Sequence, residues 1–140
     1  MNSISDLDLT SVPSLERALL IAPFHRWLGL RVAAVGPHGI EITMPWREEV
    51  VSNPALQATH GGVLASLIDL TGLYAVLAAG GLAAATADLR VDYHRAAKPG
   101  ELRACGRVVK LGRRLSVADT ELLDAEGGLV ASGRGAYLAG

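Results

Sequence analysis

The chain has 140 residues, enough for one domain and too few for two. Its 13 basic and 14 acidic side chains leave a net charge of −1, which excludes a polycation that coats nucleic acid. Half of the residues are apolar and 19% are charged, which excludes a disordered chain, and the single cysteine, Cys105, excludes a disulfide framework and a cysteine-rich zinc site. A reducing compartment suits one free thiol, so a cytoplasmic location is expected.

The opening stretch, MNSISDLDLTSVPSLER, is polar and acid-bearing and lacks the apolar run of a secretory signal. Pro13-Ser14 ahead of LERALLIA predicts a short helix capped by Ser14, with Leu15, Ala18, Leu19 and Ala22 as its apolar stripe. Pro23 interrupts it, and a second helical piece is expected from Phe24 to Leu28. RVAAV and GIEITMPW then read as a hairpin turning at Gly36-Pro37-His38-Gly39. Arg47 to Thr59 lacks periodicity and reads as a loop.

His60-Gly61-Gly62 opens a long apolar helix that stops near Gly80-Gly81. Val63 to Ala85 is long enough to span a membrane, but Asp69 interrupts it and no basic cluster flanks it. A helix apolar on nearly all sides is expected to be surrounded by protein instead. ATADLRVDYHR, ELRACGRVVKLG, RLSVADTELLDA and GLVASGRGAYL follow as four strands with the spacing of an antiparallel meander. The class is therefore α+β: about six antiparallel strands curled around one central helix, with edges that favour oligomers. A segment over 1–23 with a short helix precedes the domain proper, 24–140.

Three features carry chemistry. The first N–H groups of a helix lack internal partners, and glycine lets a ligand approach them, so the start at His60-Gly61-Gly62 suits a developing oxyanion. The alternative is a tight junction capped by Thr59. Asp69 is a lone carboxylate on the buried helix; desolvation strengthens such a group as a base, and the alternative is an aspartate bonded structurally. The third feature is basic. Between Arg90 and Arg114 lie eight cations against Asp92 and Glu101, with Lys110, Arg113 and Arg114 around Gly112. That suits a phosphate-bearing ligand, or else is a solvated sheet face. His25, His38 and His94 lack metal-ligand spacing, no metal or redox cofactor is expected, and the aromatics are too sparse for base stacking.

His60 and Asp69 lie nine residues apart, roughly opposite in direction and ~13 Å apart along a helix axis. They can serve one substrate when two copies of the helix lie antiparallel across a twofold axis, giving two equivalent composite sites.

NPALQATHGGVLASLID, then ATADLRVDYHRAAKPGEL and VVKLGRR, resembles the PaaI-like acyl-CoA thioesterases of the hotdog superfamily, over about residues 24 to 138. The resemblance implies a hotdog fold, a dimer often paired into a tetramer, and hydrolysis of an acyl-CoA; the Ala- and Leu-rich helix and the few aromatics permit an aryl or a short- to medium-chain acyl group alike. It implies that the Gly61 N–H polarises the thioester carbonyl and that Asp69 of the facing subunit acts as base or nucleophile. Thr86 falls where the family places a water-holding hydroxyl, and His60 where a histidine shapes the helix start. Gly62, Tyr93, Lys110, Gly112, Arg113 and Arg114 fall on segments that hold CoA. The family's loop carboxamide, six residues before the histidine, is Pro54 here; Asn53 and Gln57 are the nearest substitutes. Two rivals are a hydroxyacyl-thioester dehydratase and a non-catalytic acyl-CoA-binding protein.

Overall fold

The structure, a computed structural model, describes residues 8–140. The reading of residues 1–7 as free of a signal lies outside the described residues. Helix α1 spans Val12–Leu19 and helix α2 Pro23–Trp27. The cap of α1 is Ser11, not Ser14: the Ser11 hydroxyl accepts the Ser14 N–H, and Pro13 sits inside the first turn, where its missing N–H costs nothing. Leu15, Ala18 and Leu19 are buried as expected, but Ala22, the fourth residue of the expected stripe, lies beyond α1 as the N-cap position of α2 and is only half-buried.

Strands β1 (Arg31–Gly36) and β2 (Gly39–Met44) form the expected hairpin. Gly39 has φ +124°, and a Cβ there would stand 2.1 Å from the Gly106 carbonyl oxygen, so only glycine fits. The expected loop over 47–59 holds more structure than its composition shows. A 3-10 turn at Glu48–Val50 leads into a ribbon of β3 (Val51–Asn53) and β4 (Ala58–Thr59). Helix α3 follows over Gly61–Ala78 and is closed by Gly80 in the left-handed region, φ +89°.

Strands β5 (Ala85–Tyr93), β6 (Leu102–Lys110), β7 (Leu115–Leu123) and β8 (Leu129–Leu138) complete an antiparallel sheet of order β1-β2-β6-β7-β8-β5. The expected four-strand meander is therefore corrected: only β6-β7-β8 is one. β2 pairs with β6, aligning Ile40, Ile42 and Met44 with Gly106, Ala104 and Leu102 on one inward face. β5 is displaced to the far edge beside β8. Bulges in the β1-β2, β5-β8, β6-β7 and β7-β8 ladders add the local bend and twist that curl a sheet.

By length and composition α3 could cross a membrane. Here it lies against β2, β5, β6, β7 and β8. Gly106 and Gly133 let it come close: a Cβ on the first would meet the Thr71 methyl at 2.8 Å, and on the second the Ile68 methyl at 2.8 Å. The all-round apolar helix is thus a core helix, with Leu64, Leu67, Ile68 and Val76 at 3% exposure or less.

Candidate active site

The start of α3 is fixed by its own cap. His60, not Thr59, is the N-cap residue: its Nδ1 accepts the Gly62 N–H at 2.9 Å. Thr59 is buried and its N–H donates to the Ala97 carbonyl, while the His60 N–H donates to Val50. Glycine at 62 leaves room for this cap, since a Cβ would stand a tight 3.1 Å from His60 Nδ1 and press the ring aside. The Gly61 N–H, between these two, finds no acceptor among the described residues. Packing does not demand glycine at 61, because a Cβ would meet only the Tyr93 ring at an ordinary 3.5 Å. What a bare Cα provides there is close approach to that free N–H.

Tyr93 ends β5 and donates its hydroxyl to the Gly61 carbonyl at 2.8 Å. It tethers the helix start to the edge strand. The ribbon beside it carries both candidate carboxamides. Asn53 Oδ1 accepts the Ala55 N–H, and the Gln57 amide donates to Pro54, with Gln57 at φ +52°. Each has one side-chain atom occupied by the turn and one left over.

Asp69 is half-buried, eight residues further along α3 than Gly61. Thr86, at the start of β5, donates its hydroxyl to Asp69 Oδ1 at 2.6 Å. The Asp69 carbonyl accepts the hydroxyl of fully buried Tyr137 at 2.9 Å. Asp69 borders a cavity of about 660 Å³ whose other walls include Leu70, Leu73, Tyr74, Leu77, Leu82 and His25. An apolar cavity with few polar groups is the usual shape of a small-molecule site. Neither His60 nor Gly61 lines it.

The cations lie at the other end of the helix. Lys110, Gly112, Arg113 and Arg114 form the β6–β7 turn, where a Cβ on Gly112 would stand 2.0 Å from the Leu115 oxygen. The Gly112 N–H donates to Ser116. Leu111 packs on Gly81 just past the end of α3, and Arg114 accepts the N–H of Ala139, another wall of the Asp69 cavity. Lys110, Arg113 and Arg114 are exposed and form no ion pair among the described residues. An 18-residue helix is ~27 Å long, so one chain holds its free N–H and these cations at opposite ends. Within one chain the structure brings together Asp69 and Thr86, and separately His60, Gly61 and Tyr93. His25, Tyr74 and Tyr137 escaped sequence reasoning: the histidine has no partner by spacing, and the tyrosines meet α1 and Asp69 only through the fold.

Comparison with known proteins agrees with this architecture. Residues 56–131 match the family model of the thioesterase superfamily, and the chain belongs to that superfamily; its fold is the hotdog fold. A crystal structure of a thioesterase-superfamily protein superposes with a TM-score of 0.87 at 46% identity, covering 91% of this chain and 96% of that one. The PaaI protein of Escherichia coli, from the phenylacetic acid degradation operon, gives a TM-score of 0.72 at 29% identity over 81% and 85% of the two chains. YigI of E. coli, a medium/long-chain acyl-CoA thioesterase, is 29% identical over 133 residues, 84% of this chain and 86% of its own.

Proposed function

We propose that the protein hydrolyses acyl-CoA thioesters at two composite sites of a homodimer. The observation that carries this is the pairing of Asp69, held by Thr86 at an apolar cavity, with an unfilled Gly61 N–H at the start of the same helix type. Within one chain these groups serve different surfaces; an antiparallel partner helix sets each beside the other. The edge strand β5, nine residues long and exposed along most of its length, offers the pairing edge that such a dimer uses.

In the reaction, Asp69 takes a proton from water as the water oxygen adds to the thioester carbonyl carbon. The carbonyl oxygen gathers negative charge, which the partner's Gly61 N–H, at the positive end of α3, stabilises. The C–S bond then breaks, the departing CoA sulfur takes the proton held by Asp69, and free acid, CoA and the Asp69 carboxylate result. Direct attack by Asp69, with water cleaving the resulting anhydride, gives the same products. Thr86 holds the carboxylate in place in either route. Lys110, Arg113 and Arg114 supply charge for the CoA phosphates, with Gly112 keeping their turn tight and Gly62 and Tyr93 shaping the helix start. The leftover carboxamide atom of Asn53 or Gln57 is placed on the ribbon next to that start. YigI supports acyl-CoA as the substrate class.

The test is thiol release from a panel of acyl-CoAs. Asp69→Asn is expected to lower kcat by about a hundredfold or more. Equal turnover by the variant and the parent removes Asp69 from the reaction, and saturable binding with no turnover leaves a binding protein.

A further inference from the structure

The cavity beside Asp69 has a second polar feature. His25, on α2, forms part of its wall. Its Nδ1 lies 2.7 Å from the Leu19 carbonyl oxygen, an acceptor only, so the neutral ring carries its proton there. Nε2 is left as an acceptor with no partner among the described residues. The ring is held edge-on to Tyr74, with centroids 5.9 Å apart, and the Tyr74 hydroxyl is engaged by the Ala18 carbonyl. Besides Asp69 and the Tyr74 hydroxyl, whose proton is already given to Ala18, the other walls are leucines and alanines, so His25 Nε2 is the ring acceptor left open at this cavity.

We infer that His25 selects acyl groups that carry a hydroxyl at their far end, the hydroxyl donating to Nε2. This rests on the thioesterase reading and narrows its substrate class. Tyr74, against which His25 packs, stands five residues beyond Asp69, or ~7.5 Å along the axis. Three chain bonds advance ~3.5 Å when extended, so about six bonds separate the thioester carbon from the atom opposite His25. A six-carbon chain ending in a hydroxyl has that reach. A plain alkyl chain would strip water from Nε2 and return nothing.

The probes are 6-hydroxyhexanoyl-CoA and hexanoyl-CoA, and the reading is the ratio of their kcat/KM values. The parent protein is expected to favour the hydroxylated substrate about fivefold, the worth of one neutral hydrogen bond. His25→Asn keeps an amide near the Leu19 carbonyl and removes the Nε2 position; the ratio is expected to fall to about one. His25→Gln keeps a polar atom near Nε2 and is expected to retain part of the preference. A parent ratio of one, or a preference that survives His25→Asn intact, overturns the inference while the thioesterase reading stands. No turnover of any acyl-CoA by the parent overturns both.

Discussion

Asp69 is held from two sides, by the Thr86 hydroxyl on its carboxylate and by Tyr137 on its backbone carbonyl. Burial, with the negative charge of Asp69 close by, pushes the Tyr137 phenol well above its ordinary value, so it remains a donor throughout the working pH range. A lone acid in an apolar run is visible in the sequence. Its holders are not, because they come from strands 17 and 68 residues away. Other carboxylates tie stability to pH. The two-pronged hydrogen bond from Arg134 holds the Asp119 carboxyl below its ordinary value, assisted by the charges of Arg134 and Arg107. The Gly128 N–H acts likewise on Asp124, and the Val32 N–H on Glu16. A folded value below the unfolded one contributes stability above the ordinary carboxylate range and loses it as pH falls through the folded value. Urea unfolding is therefore expected to give a free energy that is level from about pH 7 to 5 and declines below about pH 4. Asp119→Asn is expected to flatten part of that decline; these groups are largely solvated, so the effect is modest. An unchanged acid slope in the variant would assign the loss elsewhere.

At the scale of elements, two glycines of α3 serve different purposes, one at its start and one in its interior. A Cβ on Gly72 would stand 2.2 Å from the Tyr137 hydroxyl, so the tyrosine reaches Asp69 only because residue 72 has no side chain. Gly72→Ala is expected to cost about 1–3 kcal/mol in denaturant unfolding, from overpacking. Gly61→Ala meets no such obstacle, and stability is expected to stay within about 0.5 kcal/mol. In the proposed mechanism its methyl group would crowd the N–H that receives the thioester carbonyl, and kcat is expected to drop about tenfold or more. The reverse pattern, stable Gly72→Ala and unstable Gly61→Ala, contradicts this assignment. Sequence alone distinguishes these roles poorly, since both glycines sit in one apolar run. Likewise the strands were legible from alternation and turn residues, whereas their order was not. β5 follows α3 directly in the chain but pairs with β8, some 40 residues on, and no local pattern records that partner. The β3–β4 ribbon was hidden because two or three residues are too few to show a period.

At the scale of the whole molecule, the division of labour along α3 makes a quantitative demand. The free Gly61 N–H lies at the start of α3 and Asp69 with its cavity lies from the middle onward, so the proposed mechanism takes the two from different copies of the helix. Two inactive variants, Asp69→Asn and Gly61→Val, should then complement each other. When their subunits are mixed at random, half of the dimers are mixed. Each mixed dimer joins the intact Asp69 of one chain to the intact Gly61 of the other at one of its two sites. Recovery is therefore expected at about a quarter of the parent's thiol-release rate. The mixing is done by co-refolding equal amounts, with sedimentation confirming dimers before the assay. Sites confined to one subunit would give no recovery, because every chain in the mixture carries a defect. An active monomer would break the same argument from the other side, since a single copy of α3 cannot present both groups to one carbonyl.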